Sequence, residues 1–151
     1  NGRILCTLLF LLSAQHVRAE DPTISAWARA TPPGATTGAI YGRFTDSGGQ
    51  RWQASKIRFP GAASVMMHET RNDNGQLKMR HSELSIQPNE TLVLAPGARH
   101  IMLMGLVQPL LEGCRYTFVI DWSNGRSTEV VFNTGSYGQL VEPDSGDRTC
   151  P

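Results

Sequence analysis

Residues 115–122 read RYTFVIDW. Tyr116, Phe118, Ile120 and Trp122 alternate with Thr117, Val119 and Asp121. This period of two puts the large apolar groups on one face of an extended strand, whereas a helix of period 3.6 would scatter them round its axis. Seven further short runs rich in β-formers fall at 35–46, 52–59, 63–71, 76–81, 91–95, 100–105 and 128–133, with turn residues between them. Asn74-Gly75 and Asn124-Gly125 each join two runs and read as hairpin turns. Many short strands at this spacing predict an all-β, Greek-key β-sandwich. Pro109 limits any helix over 107–111 to a turn.

The first residues predict export. Arg3 precedes an apolar run from Ile4 to Leu12, and Val17-Arg18-Ala19 is a small-residue cleavage site. Residues 1–19 therefore read as a secretory signal peptide, too short to span a membrane, with cleavage after Ala19. Cys6 lacks the preceding residues of a lipid-anchoring site. Residues 20–134 then form one domain, expected as a monomer, and 135–151 read as a polar, patternless, loose tail. Removing Arg3 and Arg18 from fourteen basic residues leaves twelve against thirteen acidic ones, a net charge of −1. With no basic block or aromatic–basic stripe, nucleic acid is excluded as a partner, and after signal removal no apolar run is long enough to cross a membrane as a helix. In an oxidising compartment Cys114 and Cys150 could pair or remain free, and spacing alone leaves that open.

The chemistry is concentrated in one segment. All five methionines and the three histidines beyond the signal lie between residues 66 and 104. In RHIMLMG (99–105), His100, Met102 and Met104 share one face of an extended strand, while Ile101 and Leu103 share the other. Met66 and His68 share a face of the third run, as do Met79 and His81 of the fourth, and the Asn74-Gly75 turn folds these runs together. His68, Met79, His100 and Met102 thus form a candidate metal site drawn from three strands. Imidazole with thioether is a soft, uncharged set that suits Cu(I) better than Zn, Mg or Ca. A blue-copper centre also needs a cysteine ligand followed by histidine, and no histidine follows Cys114. Met104, Met66 and His81 stand beside the four as packing, second-rank or solvated groups, and Met67 points to the core.

The spacing also carries a resemblance. His68, ten residues, Met79, twenty residues, His100, one residue and Met102 is similar to the motif of the PCuAC family of periplasmic copper(I) chaperones, with the second gap one residue shorter. WARATPPGATTGAIYG resembles that family's opening strand, and HIMLMGLVQPLLEG resembles its most specific segment. The resemblance implies a cupredoxin-like sandwich that holds one Cu(I) per chain through His68, Met79, His100 and Met102. It implies a periplasmic protein delivering copper to the binuclear copper site of cytochrome oxidase, with the oxidase copper subunit or a thioredoxin-like assembly factor as acceptor. Trp27 and Arg29 match the opening signature and are read as structural, the tryptophan by packing and the arginine by pairing a carboxylate. No acid–base constellation points to catalysis. A copper buffer or resistance protein is the competing purpose for the same chemistry, and a small copper redox enzyme is a further alternative.

Overall fold

The computed structural model describes residues 20–146 and 148–150, so the predicted signal peptide lies outside the described residues. Eleven strands are present in it: β1 Thr23–Arg29, β2 Thr37–Thr45, β3 Trp52–Arg58, β4 Ala62–Asp73, β5 Gln76–Ser82, β6 Ser85–Ile86, β7 Thr91–Leu94, β8 Arg99–Leu106, β9 Cys114–Trp122, β10 Ser127–Gly135 and β11 Arg148–Thr149. All eight predicted runs are strands, and no helix occurs among the described residues.

Both predicted hairpins form, each by its own turn chemistry. At Asn74-Gly75 both residues are left-handed, with φ of 51° and 84°. That two-residue turn matches the natural twist of the flanking strands and fixes their register, with Asp73 opposite Gln76. The second turn is longer. Gly125, at φ 85°, donates its N–H to the Trp122 carbonyl at 3.0 Å, and β10 resumes at Ser127.

The strands hydrogen-bond in the order β5-β4-β8-β2-β1-β10-β9-β3-β6, with β7 added to β2 and β11 to β9. β2 changes partner partway, pairing β8 over 37–40 and β7 over 42–45. Gly42 sits at that switch, where a Cβ would lie 2.1 Å from the Ser25 carbonyl oxygen, so β1 and β2 approach closely only because the side chain is absent. The pairing path curls back on itself. One apolar cluster takes Met67 from β4, Ile101 and Leu103 from β8, Phe44 from β2, Phe118 and Ile120 from β9 and Phe132 from β10. Strands so far apart in the pairing order can share a core only if the two halves stack face to face, which is the β-sandwich solution.

Residues 135–151, expected to be loose, are tied down where they are described. Cys114 and Cys150 form a disulfide with 5.5 Å between their Cα atoms. β11 pairs in parallel with the start of β9, Gly146 N–H donates to Asn133 Oδ1 at 3.2 Å, and Ser25 Oγ hydrogen-bonds Glu142. Two-residue strands have no period to read, and a bridge across 36 residues leaves no local signal.

Candidate metal centre

The site is built on one outer face at the β5-β4-β8 end of the sheet. In β8 the alternation separates two jobs. Ile101 and Leu103 are fully buried in the core, while His100, Met102 and Met104 turn to the other face. In β4, Met67 is buried at 3% exposure and Met66 and His68 take the site face.

Register then decides what meets. His68 lies directly opposite His100, and Met66 opposite Met102. The rings of His68 and His100 are 6.1 Å apart between centroids, and His68 Nδ1 lies 3.2 Å from Met102 Sδ. On the other flank of β4, Thr70 opposes Met79 and His68 opposes His81. Met79 reaches the site diagonally, lining with Thr70, His100 and Met102 a groove of about 340 Å³ closed on its far side by Tyr41 and Arg29. The structure therefore brings His68, His100 and Met102 together and leaves Met79, 59% exposed, as the outermost of the four.

His100 is the most enclosed of these donors, at 7% exposure. Its Nδ1 lies 3.1 Å from the Ala98 carbonyl oxygen. A carbonyl oxygen can only accept, so this contact assigns Nδ1 as the donor and turns Nε2 to the site face as the atom that would meet a metal. Burial first, and then the facing His100 and His81, hold the His68 pKa below its ordinary value, so His68 also rests in the neutral, ligating form. Tyr41, tilted against Trp27 with 4.8 Å between ring centres, packs toward His100 from β2, and burial raises its pKa against the opposing pull of Arg29. Among the described residues no carboxylate pairs with Arg29, contrary to expectation. Its Nε donates to the Gln139 carbonyl at 2.6 Å and its guanidinium lies 5.8 Å from the Tyr41 ring centre. Trp27 is buried, a packing residue as read.

The donor geometry can be compared with what one ion requires. Donor bonds of about 2.0 Å to nitrogen and about 2.3 Å to sulfur place the two atoms roughly 3.5 Å apart at a tetrahedral ion. His68 Nδ1 and Met102 Sδ are already at 3.2 Å, so a small side-chain adjustment suffices. Among the described residues no group of three or more His, Cys, Asp or Glu side chains converges as a hard-metal or zinc site would require.

Sequence reasoning placed Met79 beside His68 and left His81 as a solvated histidine. The register puts His81 closer than expected, with its ring 6.4 Å from that of His68. A readable signal existed. A two-residue turn pairing 73 with 76 makes every opposed pair sum to the same number, and 68 with 81 satisfies it.

Comparison with known proteins bears on the family and the fold. The family described as "Putative lipoprotein LpqE-like" matches residues 23–134. A protein of Leifsonia xyli subsp. xyli, described as "Putative lipoprotein Lxx21020", is 34% identical over 108 residues, which cover 70% of this chain and 64% of that protein. The chain thus spans less than two thirds of that relative's length. The Cu(I)-bound solution structure of DR1885 from Deinococcus radiodurans is 27% identical, with a TM-score of 0.64 over 82% of this chain and 84% of that one. A copper-bound PCuAC domain from PmoF2 shares the fold at 15% identity, with a TM-score of 0.64 over 79% of this chain and 96% of its own. The cupredoxin-like sandwich expected from the sequence is the observed fold.

Proposed function

We propose that this chain, which belongs to the LpqE-like family, is an exported copper chaperone holding one Cu(I) through His68, Met79, His100 and Met102. The observation that carries the reading is the His68 Nδ1 to Met102 Sδ approach of 3.2 Å, with His100 directly across the strand pair. Nitrogen and thioether donors brought together without a carboxylate or thiolate favour Cu(I) over Zn(II). The copper-bound state of DR1885, at 27% identity, supports the same assignment. The Cys114–Cys150 disulfide supports export, because such bonds persist in oxidising compartments.

Copper here is cargo. Thioether bonds to Cu(I) are individually weak, so a partly open site can give the ion up one donor at a time to a thiolate-rich acceptor. Nothing in that exchange calls for an activated water or a general base, and we propose no catalysis. The periplasm is the proposed compartment. The proposed destination is the binuclear copper site of cytochrome oxidase, reached through its copper subunit or a thioredoxin-like assembly factor. Anaerobic titration against a Cu(I) chelator, run in parallel with Zn(II), tests the reading. One Cu(I) per chain, held far more tightly than zinc, is expected, and tight zinc binding without Cu(I) uptake would overturn it.

A further inference from the structure

We propose that His81 extends the four-donor site with an exchange position, so that Cu(I) held at an inner position by His68, Met79, His100 and Met102 enters and leaves through an outer one at His68, Met79 and His81. The inference rests on the Cu(I) reading above and adds an exchange position to it. β5 and β8 flank β4 on opposite sides, both antiparallel to it. The consequence is a row of three imidazoles, His81–His68–His100, one from each strand. Each flanking strand adds a methionine two residues from its histidine on the same face, Met79 on β5 and Met102 on β8. Two soft pairs therefore stand on either side of one shared ligand, His68.

The two pairs differ in access. His100 is 7% exposed and carries a backbone partner on Nδ1. Met79 is 59% exposed, His81 is exposed, and β5 is the terminal strand of the pairing path, so that among the described residues no further strand covers its outer edge. The ring centres of His68 and His81 lie 6.4 Å apart, against 6.1 Å for His68 and His100. Two imidazoles sharing one ion at about 2 Å from each nitrogen have ring centres roughly 5–6 Å apart, so both pairs stand within a modest side-chain movement of bridging an ion. An ion held at the inner position can keep its bond to His68 while the bond to His81 forms and that to His100 or Met102 breaks. The ion remains Cu(I) throughout, and one neutral donor replaces another, so no electron or proton moves. An acceptor then meets copper on the exposed edge, with its ligands free to replace Met79 and His81.

The test separates rate from affinity. Wild-type, His81→Ala and His81→Met proteins are loaded anaerobically with one Cu(I), and transfer to excess bathocuproine disulfonate is followed by stopped-flow absorbance. Equilibrium affinity is measured on the same samples by competition. For His81→Ala the dissociation constant should stay within about twofold while transfer slows about tenfold, the latter equal to ~1.4 kcal/mol of barrier. The soft donor in His81→Met should restore the rate. Unchanged transfer in His81→Ala would overturn the proposal. So would a parallel tenfold loss of affinity, which would make His81 a resident ligand. If the wild-type chain takes up no Cu(I), the chaperone reading itself falls, a result distinct from either.

Discussion

Leu103 and Met102 are adjacent in sequence and face opposite sides of β8, so truncating each should fail in a different way. Leu103 is fully buried and packs within the cluster that joins β4, β8 and β2. Leu103→Ala removes three carbons, about 2.4 kcal/mol at ~0.8 kcal/mol each. The cavity left by incomplete relaxation adds about 1–2 kcal/mol, for a total of about 3.4–4.4 kcal/mol. Met102 is only partly buried, on the far face, and its truncation opens no core cavity. Met102→Ala should cost less than about 1 kcal/mol of apo stability and weaken Cu(I) binding by at least about tenfold, because a donor is lost. Urea unfolding of the apo proteins, with an unchanged slope and a shifted midpoint, reads the first quantity. Anaerobic Cu(I) competition on folded protein reads the second. If Met102→Ala unfolds the chain while Leu103→Ala leaves it stable and loses copper, the assignment of faces is wrong.

Three further outcomes are expected. Asp46 is 2% exposed, and although burial alone would raise its pKa, hydrogen bonds from Asn89 N–H, Trp52 Nε1, Gln50 N–H and Gly48 N–H lower it. Its contribution is therefore present above the ordinary carboxylate value and lost as pH falls through the depressed one. Asp46→Asn should cost about 1–3 kcal/mol near neutral pH and flatten the acid limb of a stability–pH curve. The Cys114–Cys150 bridge closes a separation of 36 residues, so Cys150→Ser should lower the unfolding free energy by up to about 4 kcal/mol, read by urea titration of non-reduced protein. Cu(I) affinity should hold down to about pH 6.5 and then fall with proton uptake as the pH drops further, because the depressed pKa keeps His68 neutral below the free-histidine value. A competition series against a pH-corrected chelator measures that onset, and a profile flat to pH 5 would remove the histidines from the site.

The sequence and the structure agree where local chemistry is strong. The alternation in β8 and β9 and the Asn-Gly turns set period and register within a few residues, and the division of β8 into a core face and a soft-donor face was readable directly. β6 and β11 were missed because two residues carry no period, β1 lies outside the eight runs and entered only through the resemblance of its WAR segment to an opening strand, and the docking of the tail was missed because its partners, Asn133, Ser25 and Cys114, lie far away in sequence. Arg29 was assigned a carboxylate from its charge, whereas the Gln139 carbonyl that it meets belongs to the segment read as patternless. The nearness of His81 to His68 was readable from the hairpin arithmetic of β4 and β5, whereas the pairing of β4 with β8 that completes the row has no such local signal.

The central claim is that four donors, two nitrogen and two sulfur, hold one soft ion on this face. X-ray absorption at the copper edge of the anaerobically loaded full chain addresses it directly, by counting the neighbours of the metal. Cu(I) with two imidazole nitrogens at about 2.0 Å and two thioether sulfurs at about 2.3 Å is expected, with one sulfur lost in Met102→Ala. A first shell of nitrogen and oxygen alone would contradict it.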